Sequence, residues 1–194
     1  HPDRARHSVR QAIWLVRQKL GEGVVEGDDP VALAPGVIRS DVEAIRVFLA
    51  EGEVERASEL WQGAVLSRLS FPECTEWEQW REEKWELLRL GLFRALVDRA
   101  RSLQDAGREE DALASLEAAL RLSPFSVEAR VLQVEVLLAL GRVPAARQAL
   151  EEARREIGGS QAAASELRRL EAALTETRPP PESGGAERVG ESLE

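Results

Sequence analysis

"AGREEDALASLEAAL" (residues 106–120) and "LGRVPAARQALEEAR" (140–154) align at a single offset. Gly107 to Gly141, Ala112 to Ala146, Leu116 to Leu150 and Ala119 to Ala153 are each 34 residues apart. A period of that length is one helical hairpin stacked on the next. Each part of the pattern has a physical job. The glycine supplies the turn between two helices. The alanines let two helix backbones approach closely. The leucine lies with them on one face, at spacings of 3 and 4 residues. Pro124 stands where the first unit ends, since proline cannot continue a helix.

The same reading extends in both directions. Upstream, "EGEVERASELWQGA" (51–64) keeps Gly52, Ala57, Trp61 and Ala64 at the internal spacings of the two clear copies, and it reads as a third, weaker copy. Between the copies, "TEWEQWREEKWELLRLGLFRALVDRARSLQDA" (75–106) predicts one long helix. Thr75 and Glu78 open it as a capping box. Trp77, Trp80, Leu88, Leu92, Ala95, Leu96 and Leu103 fall on or near one stripe of that helix and are expected in the core. A last helix follows Ser160 and carries Leu167, Leu170 and Leu174. Residues 177–194 hold proline, glycine, serine and charge but few apolar side chains, so a linker or tail is expected there.

The front of the chain is different. Residues 4–20 predict a helix with Val9, Ile13, Val16 and Leu20 on one narrow face, closed by Gly21. Val24-Val25 and Val31-Ala32-Leu33 then flank a Gly-Asp-Asp-Pro turn, the pattern of a short β-hairpin. Charge also divides here. The chain carries a formal charge of −9. Its first 20 residues hold Arg4, Arg6, Arg10, Arg17 and Lys19 against Asp3 alone, a surplus of four positive charges. The sequence begins at His1 and contains no methionine, which reads as a piece of a longer protein.

Several kinds of chemistry find little support. The only histidines are His1 and His7, too few for most histidine-based catalysis or zinc ligation. Cys74 is the single cysteine and is expected as a structural thiol beneath the long helix. "GEGVVEG" (21–27) looks like a phosphate loop, but its spacing is wrong and it follows a helix instead of a strand. The acidic residues read as solvated helix faces, and the tryptophans, at helical spacing, as core. No apolar run reaches the roughly 18 residues of a membrane span.

The basic helix is the remaining signal. His7, Gln11 and Gln18 lie opposite its apolar stripe, with Arg4 and Ser8 beside them, while Arg6, Arg10 and Arg17 flank the stripe. Arginine and glutamine side chains can read guanine and adenine edges, and flanking arginines can hold phosphates. The plainer reading is a solvated cationic face. The order of helix, glycine and hairpin is that of a recognition helix and its wing.

These segments, taken in order, resemble a known family. "RARHSVRQAIWLVRQKLG" (4–21) is similar to the recognition helix of the OmpR-type winged helix-turn-helix in AfsR/SARP-type bacterial regulators, through its "SVRQAI" core and "LVRQKLG" close. "VALAPGVIRSDVEAI" (31–45) looks like the last wing strand and the aspartate that opens the next domain. "CTEWEQWREEKWELLRL" (74–90) is similar to the family's Phe-Glu-x-Trp segment, with Trp77 in place of Phe. The two 34-residue units look like the family's tetratricopeptide-like bacterial transcriptional activator domain. The chain also departs from the pattern. The first two helices of the winged helix are absent, Trp14 and Leu15 lie toward the presumed DNA side, and Gly158-Gly159 stands where a proline is usual.

The resemblance implies a mainly α fold, a tetratricopeptide-like helical-hairpin solenoid preceded by a recognition helix and the short β-hairpin of a partial winged helix. It places that partial domain at 1–40, the helical domain at 41–176 and the tail at 177–194. It implies a non-enzymatic, cytoplasmic DNA-binding transcriptional regulator without a cofactor. In the intact parent protein, Arg4, Arg6, His7, Ser8, Arg10, Gln11 and Arg17 would meet double-stranded DNA. The helical repeats would serve a protein partner or self-association, with no membrane contact. The alternative is a tetratricopeptide scaffold that binds protein and never touches DNA.

Overall fold

The computed structural model describes residues 2–27, 30–64, 66, 69, 71, 73–156 and 161–176. The expected tail at 177–194 and the Gly158-Gly159 pair lie outside them. The chain divides into two compact units between Leu92 and Phe93. The division falls within one helix, α4 (Thr75–Asp105).

The first unit opens with α1 (Pro2–Leu20), a 3-10 turn (Glu22–Val24) and a hairpin of β1 (Val25–Glu26) and β2 (Ala32–Leu33). The strands run antiparallel, with Val25 opposite Leu33 and Glu26 opposite Ala32. Gly27 is required in the turn. Its φ is 78°, and a Cβ there would sit 2.4 Å from the carbonyl oxygen of Pro30. Val24, Val25 and Ala34 are buried, and the Ala34 N–H donates to the Val24 carbonyl at 2.9 Å. α2 (Asp41–Glu51) is capped by Ser40, whose hydroxyl accepts the Glu43 N–H, and α3 (Val54–Leu60) follows.

The second unit runs from Phe93 through α5 (Glu109–Leu122), α6 (Val127–Ala139), α7 (Val143–Glu156) and α8 (Gln161–Glu176). The aligned positions behave alike. Ala112, Ala146, Ala119, Ala153 and Leu116 have no exposed surface, and Leu150 has 4%. The turns match as well. Gly107 and Gly141 have φ of 67° and 69°. The N–H of Arg108 donates to Leu103, and that of Arg142 to Leu137, at 2.9 and 2.8 Å. This is the six-residue closure of a helix C-terminus around a left-handed glycine. α8 packs on α6 and α7, burying Leu167, Leu170 and Leu174. Its exposed side carries Ser165, Arg168, Arg169 and Thr175.

Three expectations are corrected. The upstream copy keeps the turn: Gly52 has φ 77° and the Glu53 N–H closes on Phe48 at 2.8 Å. Ala57 is fully buried, as the pattern asks. Yet α3 stops at Leu60, and Trp61 turns extended with ψ 111°, so Trp61 and Ala64 leave the helical face. Released from the helix, the Trp61 ring stacks on Trp85 at 6.3 Å between centroids. Second, Trp80 is 45% exposed rather than core, because its ring lies against Trp77 at 5.2 Å on the open side of α4. Third, Cys74 is exposed, in the turn before α4, where its carbonyl accepts the Trp77 and Glu78 N–H groups. At the start of α4 the Glu78 carboxylate also accepts the N–H of Phe71, seven residues back, and pairs with Arg81.

Candidate interaction surfaces

α1 presents its polar side chains as the sequence places them. Arg4, Arg6, His7, Ser8, Arg10 and Gln11 are all exposed. Arg17 is not equivalent to them. It is half-buried, and its Nη2 donates to the Val25 carbonyl at 3.2 Å, tying the last turn of α1 to the hairpin. Its Nε is buried with no partner among the described residues. Ser8 is partly engaged, its hydroxyl donating to the Arg4 carbonyl at 3.0 Å. Opposite this face the apolar stripe is open. Val9 and Leu20 are 55% and 61% exposed, and Ile13 and Val16 are half-buried.

In the second unit, a hollow of about 340 Å³ lies over α5, α6 and α7. Its cations are already matched. Arg130 meets Glu152 at 2.8 Å and Gln133 at 3.1 Å, and Arg142 meets Glu110 at 2.6 Å. Further pairs join α4 to α6, α6 to α8 and α7 to α8: Arg101 with Glu128, Glu135 with Arg169, and Arg154 with Glu171. Hydrogen bonding from Glu128 raises the pKa of Arg101, and the same interaction from Glu166 raises that of Arg169. The surface of the repeats is thus largely self-neutralised, and Phe125 is its only exposed large apolar side chain among the described residues.

The first unit contains a different kind of site. A cleft of about 980 Å³ opens beside the start of α2. Ile45, Trp61 and Leu88 form its inner part. Leu33, Leu66, Leu69 and Trp80 form its walls, each at least 45% exposed. The α4 wall presents Trp80, Lys84 and Leu88, three positions four residues apart on one helix face. Arg46 stands on the α2 side, where it makes no ion pair among the described residues. The nearest carboxylate recorded for Lys84 is Glu83, at 3.9 Å. Asp41 is engaged at the start of α2, accepting the Val42 N–H at 2.8 Å.

An aromatic cluster backs this wall. Phe71 meets Trp77 edge-on at 5.5 Å, and Arg89 lies over Trp85 at 5.7 Å while pairing with Glu86. The indole N–H groups of Trp77 and Trp85 are buried without a partner among the described residues. Sequence reasoning did not find the cleft. Its lining comes from four separate segments, none of which is unusual alone. Among the described residues, no group of three His, Cys, Asp or Glu side chains could hold a metal ion, and no helix is long and apolar enough to cross a membrane.

Comparison with known proteins bears on the second unit. Residues 97–163 match the family described as the tetratricopeptide repeat. No curated protein matches the chain. Among solved structures, the chain is similar to one described as the complex of the TPR2B domain with pHsp70 from yeast Sti1. The two are 17% identical, the match covers 71% of this chain and 98% of that one, and the TM-score is 0.42. With its matched turns and matched buried positions, the second unit is a tetratricopeptide-like domain.

Proposed function

We propose that this chain is a protein-interaction scaffold in which the tetratricopeptide-like unit is the rigid support and the first unit carries the contact surface. One observation carries this reading. Of the fifteen large apolar side chains exposed among the described residues, fourteen lie in residues 1–92. Leu33, Leu66, Leu69 and Trp80 among them line one cleft, and contiguous exposed apolar surface marks a place where a partner binds. Native mass spectrometry of the full chain, isolated from its source cells, tests it. The scaffold reading expects a stoichiometric protein complex, diminished by Leu33→Asp. A chain that is isolated only with nucleic acid, or alone, contradicts it.

A second reading is favoured by the order of α1, Gly21 and hairpin: a regulator of the AfsR/SARP type that holds the recognition helix and wing of a winged helix. The open stripe of Val9, Ile13, Val16 and Leu20 would then pack on the other two helices of such a domain in the parent protein. Arg4, Arg6, His7, Ser8, Arg10 and Gln11 would face DNA, with Arg17 serving to brace the wing. The expected signature is duplex binding that weakens steeply with salt, with a slope reduced by about one for each phosphate contact removed. Anisotropy with Arg6→Ala and Arg10→Ala checks this, and an unchanged slope in both variants counts against it.

A further inference from the structure

We infer that Gly91 is the hinge of α4: the helix bends there, so that the two compact units of the chain move as separate bodies. The inference goes beyond the scaffold reading and holds whichever partner the first unit meets.

Gly91 breaks a local rule without a steric reason. α4 runs 31 residues, from Thr75 to Asp105. Among the described residues, Gly91 is the one glycine inside an α-helix. Glycine is the weakest helix former after proline, because it has the most backbone freedom to lose. A left-handed turn, a close approach of another backbone or a bulky neighbour can each require it. None of these applies to Gly91. It is helical and exposed. A Cβ there would lie 3.8 Å from Leu49 Cδ1, an ordinary contact. Alanine would therefore fit and would strengthen the helix. What glycine supplies at this position is ease of bending.

Its place in the chain carries the rest. The division between the units falls between Leu92 and Phe93, just past Gly91, and α4 is their only covalent connection. Each unit buries its own apolar side chains, Ile45, Val54 and Ala57 in the first and Leu116, Leu132 and Leu150 in the second. Within α4, ion pairs at i, i+3 brace the helix on either side: Glu78 with Arg81 and Glu86 with Arg89 before the glycine, and Asp98 with Arg101 after it. The stretch between them, residues 90–97, holds a single charged side chain, Arg94. The weakest point of the helix thus coincides with the border of the two bodies. Hinges of this kind absorb a backbone change at a few residues and leave the packed bodies on either side intact. The first unit, with its exposed apolar cleft, can then turn toward a partner while the tetratricopeptide-like unit keeps its form.

The test uses the full chain and its backbone N–H residual dipolar couplings in a weakly aligning medium. Helices α2 and α3 report on the first unit, and α5, α6 and α7 on the second. The two sets are expected to need different alignment tensors in the unmodified chain and to share one tensor in Gly91→Ala. Amide hydrogen exchange reads the same site locally. The N–H groups of residues 92–95 donate across or to Gly91 in the i to i−4 pattern of the helix. Their exchange is expected to slow about fivefold in Gly91→Ala, the ratio set by the helix propensities of the two residues. Leu87→Ala, at an exposed position one turn earlier, is expected to leave the tensors as they are in the unmodified chain. A single tensor for both units of the unmodified chain overturns the inference. So do separate tensors that persist in Gly91→Ala, or unaltered exchange at residues 92–95 in that variant. None of these outcomes touches the scaffold reading, which stands or falls on the stoichiometric complex.

Discussion

Leu116→Ala is the sharpest probe of the repeat packing. Leu116 has no exposed surface, and Leu150, 34 residues on, has 4%. Leucine to alanine removes roughly three carbons, worth about 2.4 kcal/mol at ~0.8 kcal/mol per buried methylene. The cavity left behind adds to that, and buried leucines lose about 3–5 kcal/mol overall. Leu116 lies on α5, with α6 packed directly against it, so the site has little freedom to collapse. We expect a loss of about 3–4 kcal/mol for Leu116→Ala and a similar one for Leu150→Ala. Against a typical domain stability of about 5–15 kcal/mol, that is a large share. Urea unfolding followed by far-UV circular dichroism is the right assay, because all five tryptophans lie in the first unit and their fluorescence is blind to this one. Leu87→Ala, at a position 57% exposed, is the control and should cost under about 0.5 kcal/mol. A loss under about 1 kcal/mol for both Leu116→Ala and Leu150→Ala would refute the repeat core described above.

Other expectations follow from single sites. Gly141→Ala forces a Cβ into φ 69° with open space around it, so the cost is conformational only, about 1–2 kcal/mol in the same unfolding assay. The Arg89 guanidinium hydrogen-bonds to Glu86 and holds its carboxyl below the ordinary glutamate value. The contribution of that pair is therefore present above the ordinary value and lost as pH falls through the lowered one. An NMR titration of Glu86 should show the depressed midpoint, and Arg89→Gln should raise it. Cys74, exposed in the turn before α4, should react with a thiol reagent in the folded protein at a rate within a few-fold of the unfolded chain.

How far the sequence could be read depended on whether the information was local. The 34-residue offset predicted the second unit down to individual side chains, because each hairpin repeats the same short-range turn and the same buried face. α1, its glycine stop and the β1–β2 hairpin were legible for the same reason. Trp61 and Trp80 were not. Their helical spacing is real, but helix periodicity cannot reveal that α3 ends one residue before Trp61. Nor can it show that the surface beside Trp80 stays open. Cys74 failed similarly, since an apolar-looking residue near a predicted helix reads as core until the turn before it is known. The cleft was invisible because residues 33, 40–42, 45–46, 60–64, 66, 69, 80, 84 and 88 meet only in three dimensions. The exposed polar face of α1 was visible in the sequence, whereas the use of Arg17 as a brace on Val25 needed the fold.

Lysine occurs only at 19 and 84, one on α1 and one beside the cleft, so the chain carries two well-separated side-chain amines for labelling. An amine-anchored diazirine on both, irradiated in extract of the source cells and analysed by mass spectrometry, tests the central claim most directly. The account predicts adducts from Lys84 to peptides of a protein partner. Adducts from Lys19 to nucleic acid, with no intermolecular adduct from Lys84, would contradict it.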